Sequence, residues 1–154
     1  MGVSTDGFIA YGVLLADPDT LPDHDWAYDQ AGSWRKDQGY VPIVDLDAMY
    51  ERGERPTPEQ RQIEIENQKA WHAAHPCPIQ FVNYCSDNYE QWMAVVPATL
   101  KRASRGFPVP FDPADLQGDK TAQTEALLAF LRDHEIALDD ETPSPCWLIG
   151  SYWG

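Results

Sequence analysis

The sequence is short of cysteine, of basic residues and of long apolar runs, and each shortage excludes something. Three cysteines in 154 residues, Cys77, Cys85 and Cys146, are an odd and sparse set. That is the opposite of a disulfide-stapled secreted scaffold. The apolar stretch Gly7–Leu15 falls well below the ~20 residues that span a bilayer. The N-terminus has no basic region of the kind that opens a secretory signal. Together these absences predict a reducing, cytoplasmic setting. There is no Gly-x-Ser-x-Gly elbow, no phosphate-binding glycine loop and no dinucleotide fingerprint. With 11 Lys and Arg against 25 Asp and Glu, the formal net charge is −14. Such a chain is repelled by nucleic acid and by anionic membranes, and is attracted to basic protein surfaces.

Aromatic residues are abundant: six Trp, seven Tyr and five Phe. They bury enough area per residue for a core without disulfides. A chain of this length fits one domain that buries about 70% of its unfolded surface, so a single domain over 1–154 is expected. Gly7–Leu15 reads as a buried strand, with Gly12 marking a bulge or a close backbone approach. Residues 17–39 lack periodicity and read as a long acidic, aromatic-containing loop with a helical turn near Trp26. Asp45 caps a short helix that Gly53 stops. A stronger helix starts at the capping box of Thr57 and Gln60, with Pro58 at its first position, and ends at Pro76. Its apolar stripe reads Ile63, Ala70, Trp71 and Ala74, with Ile65 off the stripe.

Pro78–Cys85 and Gln91–Val96 flank a Ser86-Asp87-Asn88 turn and read as an antiparallel hairpin, the second strand continuing past Thr99 toward Phe107. Asp119 caps a last helix over about 120–134, and Cys146–Trp153 is a closing strand. The order β-α-α-β-β-α-β predicts an α+β fold. In it, about four mainly antiparallel strands, including both chain termini, are covered by two or three helices.

Two acidic runs are the sharpest candidates for function: Asp17, Asp19, Asp23, Asp25 and Asp29 in the long loop, and Asp133, Glu135, Asp139, Asp140 and Glu141 at the end of the last helix, with Asp17, Asp19, Asp23, Asp25, Asp139, Asp140 and Glu141 as the expected contacts. Acids at a helix C-terminus oppose its dipole, which favours a use for the charge beyond solubility. Both runs present carboxylates as a nucleic acid presents phosphates. The spacing of the first does not match a calcium loop. His72, His75, Cys77 and Cys85 lack the paired spacing of a zinc site, so neither metal nor cofactor is expected. No signature surrounds Cys85 or Cys146 as a nucleophile with His72, His75 or His134 as base. Lys101, Arg102 and Arg105 form a basic island best read as strand charges answering nearby acids.

The chain resembles small phage- and prophage-encoded proteins. The likeness lies in Ser4-Thr5-Asp6-Gly7 before Tyr11-Gly12, in Tyr84-Cys85-Ser86-Asp87-Asn88-Tyr89, in Arg102–Pro108 and in Trp147–Gly154. The resemblance carries no catalytic residue. It implies a host-takeover or anti-defence factor, including the anti-CRISPR proteins that occupy nucleic-acid-binding surfaces. The expected function is therefore non-enzymatic inhibition of a basic, nucleic-acid-binding host complex by protein–protein contact. A small enzyme that modifies a host factor and a virion assembly module are the competing readings.

Overall fold

A computed structural model describes residues 5–16, 26, 29–86 and 89–153. In chain order the elements are β1 (Thr5–Leu14), α1 (Gln30–Asp37), α2 (Leu46–Glu51), α3 (Pro58–Ala74), β2 (Gln80–Ser86), β3 (Tyr89–Val95), β4 (Lys101–Ser104), α4 (Thr121–Asp133) and β5 (Cys146–Trp153). Short 3-10 turns occupy Pro97–Thr99 and Pro113–Leu116. The fold is α+β. Two compact units make it up, Met1–Gln30 with Pro78–Gly154, and Ala31–Cys77.

The larger unit holds a five-stranded sheet in the order β3-β2-β5-β1-β4, and β3 pairs with β1 as well. The pairings therefore close a ring through β1, β3, β2 and β5. Most are antiparallel, but Cys85 and Ser86 run parallel to Tyr152 and Trp153, which makes the sheet mixed. The strand count of four is corrected to five. Pro97 cannot donate to a ladder, and the 3-10 turn it opens separates β3 from β4, so what reads as one long strand is two. Both still lie along β1: Gly12–Leu14 pair with β3, and Asp6–Ile9 pair with β4. Thr99 bridges the gap, its hydroxyl accepting the Tyr11 amide at 2.9 Å.

Inside the ring lie Phe8, Ala10, Val82, Met93 and Val95. On the other side of the sheet, α4 buries Leu127, Phe130 and Leu131. At this length such burial is worth about 2 kcal/mol per large side chain. Two glycines make close packing possible. A Cβ on Gly12 would collide with the Ala94 carbonyl oxygen, and one on Gly150 with the Phe8 ring.

The smaller unit contains α2, α3 and most of α1. The long-loop reading of 17–39 is corrected over its second half, where α1 forms. Its sequence QAGSWRKD contains Gly and Ser, buries no residue, and so leaves no periodic signature. Helices among the described residues number four, not two or three. The capping box at Thr57 and Gln60 is present as read.

Helix α4 ends in a Schellman motif, with the Ile136 amide donating to Leu131 O at 2.8 Å and Glu135 N to Arg132 O at 3.1 Å. Glu135 takes the left-handed position there, at φ 55°, where glycine is preferred. Glu135→Gly is expected to stabilise the protein by about 0.5–1 kcal/mol. Gly12→Ala is expected to cost at least ~2 kcal/mol, because backbone has to move to admit a methyl group. Urea unfolding of both variants checks the signs; an unchanged midpoint for Gly12→Ala would contradict the ring closure at β1–β3.

Candidate functional site: an acidic corner

The end of β1 carries the chain toward the second half of the molecule's sequence. Leu15 bridges Leu138 in antiparallel fashion. The Ala16 amide donates to Ala137 O at 3.2 Å, and Asp139 N donates to Leu14 O at 3.1 Å. Leu14 N in turn donates to the Thr142 hydroxyl at 3.1 Å. This short ladder fixes the segment after α4 against the residue that precedes Asp17.

The far end of the same run is anchored nearby. Trp26 is buried, with its ring centroid 5.4 Å from that of Phe130, 6.2 Å from Phe81 and 5.1 Å from His134. His134 itself stacks on Phe130 at 4.1 Å. Ala16 and Trp26, which bracket Asp17–Asp25, therefore both meet the stretch 130–139. Asp17, Asp19, Asp23 and Asp25 lie outside the described residues.

The second run is in place. Asp140 and Glu141 are exposed and Asp139 is half-buried. The Asp139 carboxylate accepts the Glu141 amide at 2.6 Å, and Thr142 N donates to Asp139 O at 3.2 Å, so a tight turn presents all three acids. Among the described residues none of the three forms an ion pair; the acid of this region that does is Asp133, with Arg132 at 3.5 Å. That pair is exposed and contributes little. Tyr84 reports the local field. Burial, then the charges of Asp139, Cys85 and Glu141, raise its hydroxyl above the usual tyrosine range. The corner is acidic, uncompensated and held by backbone hydrogen bonds.

The other candidates fare differently. Lys101 pairs with Asp115 at 2.9 Å, so this residue of the basic island answers an acid in the loop that follows β4. Cys85 and Cys146 are exposed at opposite ends of β2 and β5. His75 stacks on Trp71 at 4.4 Å, and His72 Nε2 lies 3.0 Å from the Arg35 guanidinium, an unfavourable neighbour for a metal cation. Among the described residues no three His, Cys, Asp or Glu side chains gather as a metal site would require. No described helix is long and apolar enough to cross a membrane. Protein-family models, curated proteins and solved structures were compared with the chain, and none matches.

One group that polarity patterns miss is Glu64, which is 2% exposed in the middle of α3. Its carboxylate accepts from Tyr40 OH at 2.5 Å, from Ile43 N and Val44 N at 3.0 Å each, and from Gln68 Nε2 at 3.2 Å. Burial raises the Glu64 carboxyl, but the bonds from Tyr40, Val44, Gln68 and Ile43 more than offset it and hold it below its ordinary 4.5. Burial, and then Glu64 itself, push Tyr40 up to about 12. Every acceptor site of the carboxylate is engaged, so Glu64 clasps residues 40–44 to α3 and is not a poised base.

The sign of the pH effect follows. A depressed carboxyl contributes fully above about pH 4.5 and loses its contribution as pH falls through its folded value. The protection of the Ile43 and Val44 amides against hydrogen exchange, relative to the intrinsic rate at each pH, is expected to fall selectively below pH ~4.5. Glu64→Gln is expected to cost about 1–3 kcal/mol at neutral pH and to flatten that pH dependence. An unchanged pH profile in the variant would remove Glu64 from this role.

Proposed function

We propose that this protein inhibits a host nucleic-acid-binding defence complex by direct protein–protein contact, in the manner of an anti-CRISPR protein. The acidic corner faces a basic surface that otherwise holds nucleic acid. The observation that carries this reading is the ladder from Leu14–Ala16 to 137–139, with Trp26 beside His134. It sets Ala16 and Trp26, the described residues that flank the Asp17–Asp25 run, against the stretch 130–139 that leads into Asp140 and Glu141. The net charge of −14 and the phage-type motifs support it.

The contact residues proposed are Asp17, Asp19, Asp23, Asp25, Asp139, Asp140 and Glu141. Exposed carboxylates lose favourable hydration on binding and are compensated by charge-assisted bonds to Lys and Arg. Affinity then depends steeply on salt, because charges beyond a Debye length of about 8 Å are screened at physiological ionic strength. Neither a metal nor a cofactor enters the mechanism.

The test is a nuclease-treated pull-down from candidate bacterial host lysates, read by mass spectrometry at low and high salt. Wild-type protein is expected to capture a nucleic-acid-binding complex in stoichiometric amount. A variant with all seven acids changed to Asn or Gln is expected to lose at least about tenfold in affinity for it. The amides preserve the turn, since Asn still accepts the Glu141 amide. Undiminished binding by that variant would sink the mimicry. A covalent mass change on the target at sub-stoichiometric dose would turn the reading toward an enzyme instead.

A further inference from the structure

The opposite character appears on a different face of the same unit. Directly opposed residues on antiparallel strands point to the same side. The registers therefore place Trp147 with Tyr11, Ile149 with Ile9 and Lys101, Ser151 with Gly7 and Ala103, and Trp153 with Thr5 on one side of the β4–β1–β5 sheet. None of these ten residues is acidic, in a chain with 25 acids. Ile149 is 83% exposed and Trp153 57%.

The segment between β4 and α4 rims this side. Lys101 holds Asp115, Trp147 Nε1 donates to Leu116 O at 3.2 Å, and Lys120 lies 5.7 Å from the Trp147 ring centroid. That segment exposes Phe107, Val109, Phe111 and Leu116. Every large hydrophobic residue exposed in the larger unit among the described residues thus belongs to this sheet side or its rim. The rim's acids are engaged locally: Asp112 accepts from Ala114 N, Asp119 accepts from Thr121 N and Asp115 pairs with Lys101. Of the bases nearby, Lys101 lies on this side, Arg105 just follows β4 and Lys120 just precedes α4, whereas Arg102, opposed to Phe8, points to the other side.

We propose that this face is a homodimer interface, on which a second copy of the chain packs across a two-fold axis. Charge selects the occupant. Two copies of a protein at −14 repel through almost any other surface, but this side is acid-free and on its rim Lys101, Arg105 and Lys120 balance Asp112, Asp115 and Asp119. Its shape is self-complementary, as a two-fold interface requires. The Ile9–Ile149 row forms a ridge beside the small-residue row of Gly7, Ser151 and Ala103. Helix α4 covers the Tyr11 end of this side, where the Tyr11 and Thr124 hydroxyls meet at 3.0 Å, and beyond it, with sheets packed at about 10 Å, the ridge of each copy fills the trough of the other. Apolar surface this exposed marks an association site.

Sedimentation of the purified full chain up to about 100 μM, a range that catches any dimer of micromolar affinity, tests the proposal without any host partner. Wild type is expected to be a dimer that persists from about 0.15 M to about 1 M salt, because apolar contact is not screened. Ile149→Asp is expected to weaken it by about a hundredfold or more. Ser151→Trp, which fills the trough, is expected to have a similar effect. Both positions are exposed, so circular dichroism and thermal unfolding should match wild type. A monomer throughout overturns the proposal, as does a dimer that survives both substitutions. A dimer that dissolves in high salt also overturns it, since acidic corners would then be docking on the rim's bases. None of these outcomes depends on whether the acidic corner binds a host complex.

Discussion

The larger unit depends on β1 more than on any other element. It carries hydrogen-bond ladders to β3, β4 and β5, and its last residues extend a fourth pairing to 137–139. One strand can serve so many neighbours only if the chain beside it comes very close, and Gly12 is where that happens. With no Cβ, it lets the backbone of Ala94 and Val95 lie directly against β1. The closed ring, the interior around Phe8 and Met93, and the position of the acidic turn all follow from that contact.

The same strand also sorts charge. Its C-terminal end meets the acidic turn, while the outward side of its N-terminal half lies between Ile149 and Lys101. Of the 25 acids, eight fall in Ala31–Cys77 beside six bases, so most of the net −14 belongs to the larger unit. Within that unit the bases cluster around β4. An acidic protein that only needed solubility would gain nothing from such segregation. The two surfaces proposed above, one screened by salt and the other not, would account for it.

Much of this was legible in the sequence, and the exceptions share a cause. Strands β1 and β5, the hairpin and α4 are marked by local patterns: aromatic and β-branched runs, a turn signal, helical spacing of Leu127, Phe130 and Leu131. Caps at Asp45 and Thr57 are equally local, and both side chains accept the expected amides, whereas α4 starts one residue later than read, with Lys120 at its cap position and Asp119 accepting the Thr121 amide just outside it. What could not be read was long-range. Helix α1 has a weak helical sequence and no buried face. The break between β3 and β4 is tolerated because Tyr11 and Thr99, 88 residues apart, close the gap. That Ala16 and Trp26 both meet the stretch 130–139 rests on pairings between residues more than 100 positions apart.

Glu64 shows the limit most clearly. Periodicity assigned the inward face of α3 to Ile63, Ala70, Trp71 and Ala74, yet Ile63 is exposed and the buried position beside it is a carboxylate. Two of its donors are backbone amides, at Ile43 and Val44, and backbone amides leave no trace in side-chain pattern. A buried carboxylate is tolerable only when its donors are complete, because removing one leaves a desolvated charge. Its four donors come from both the 40–44 segment and α3 itself, so the clasp specifies one arrangement of the smaller unit and penalises others. None of the buried hydrophobic residues lies in Ala31–Cys77, so geometry there is set by hydrogen bonding where the larger unit uses apolar packing. The two halves of the chain are thus held by different forces, and acid should loosen one well before the other.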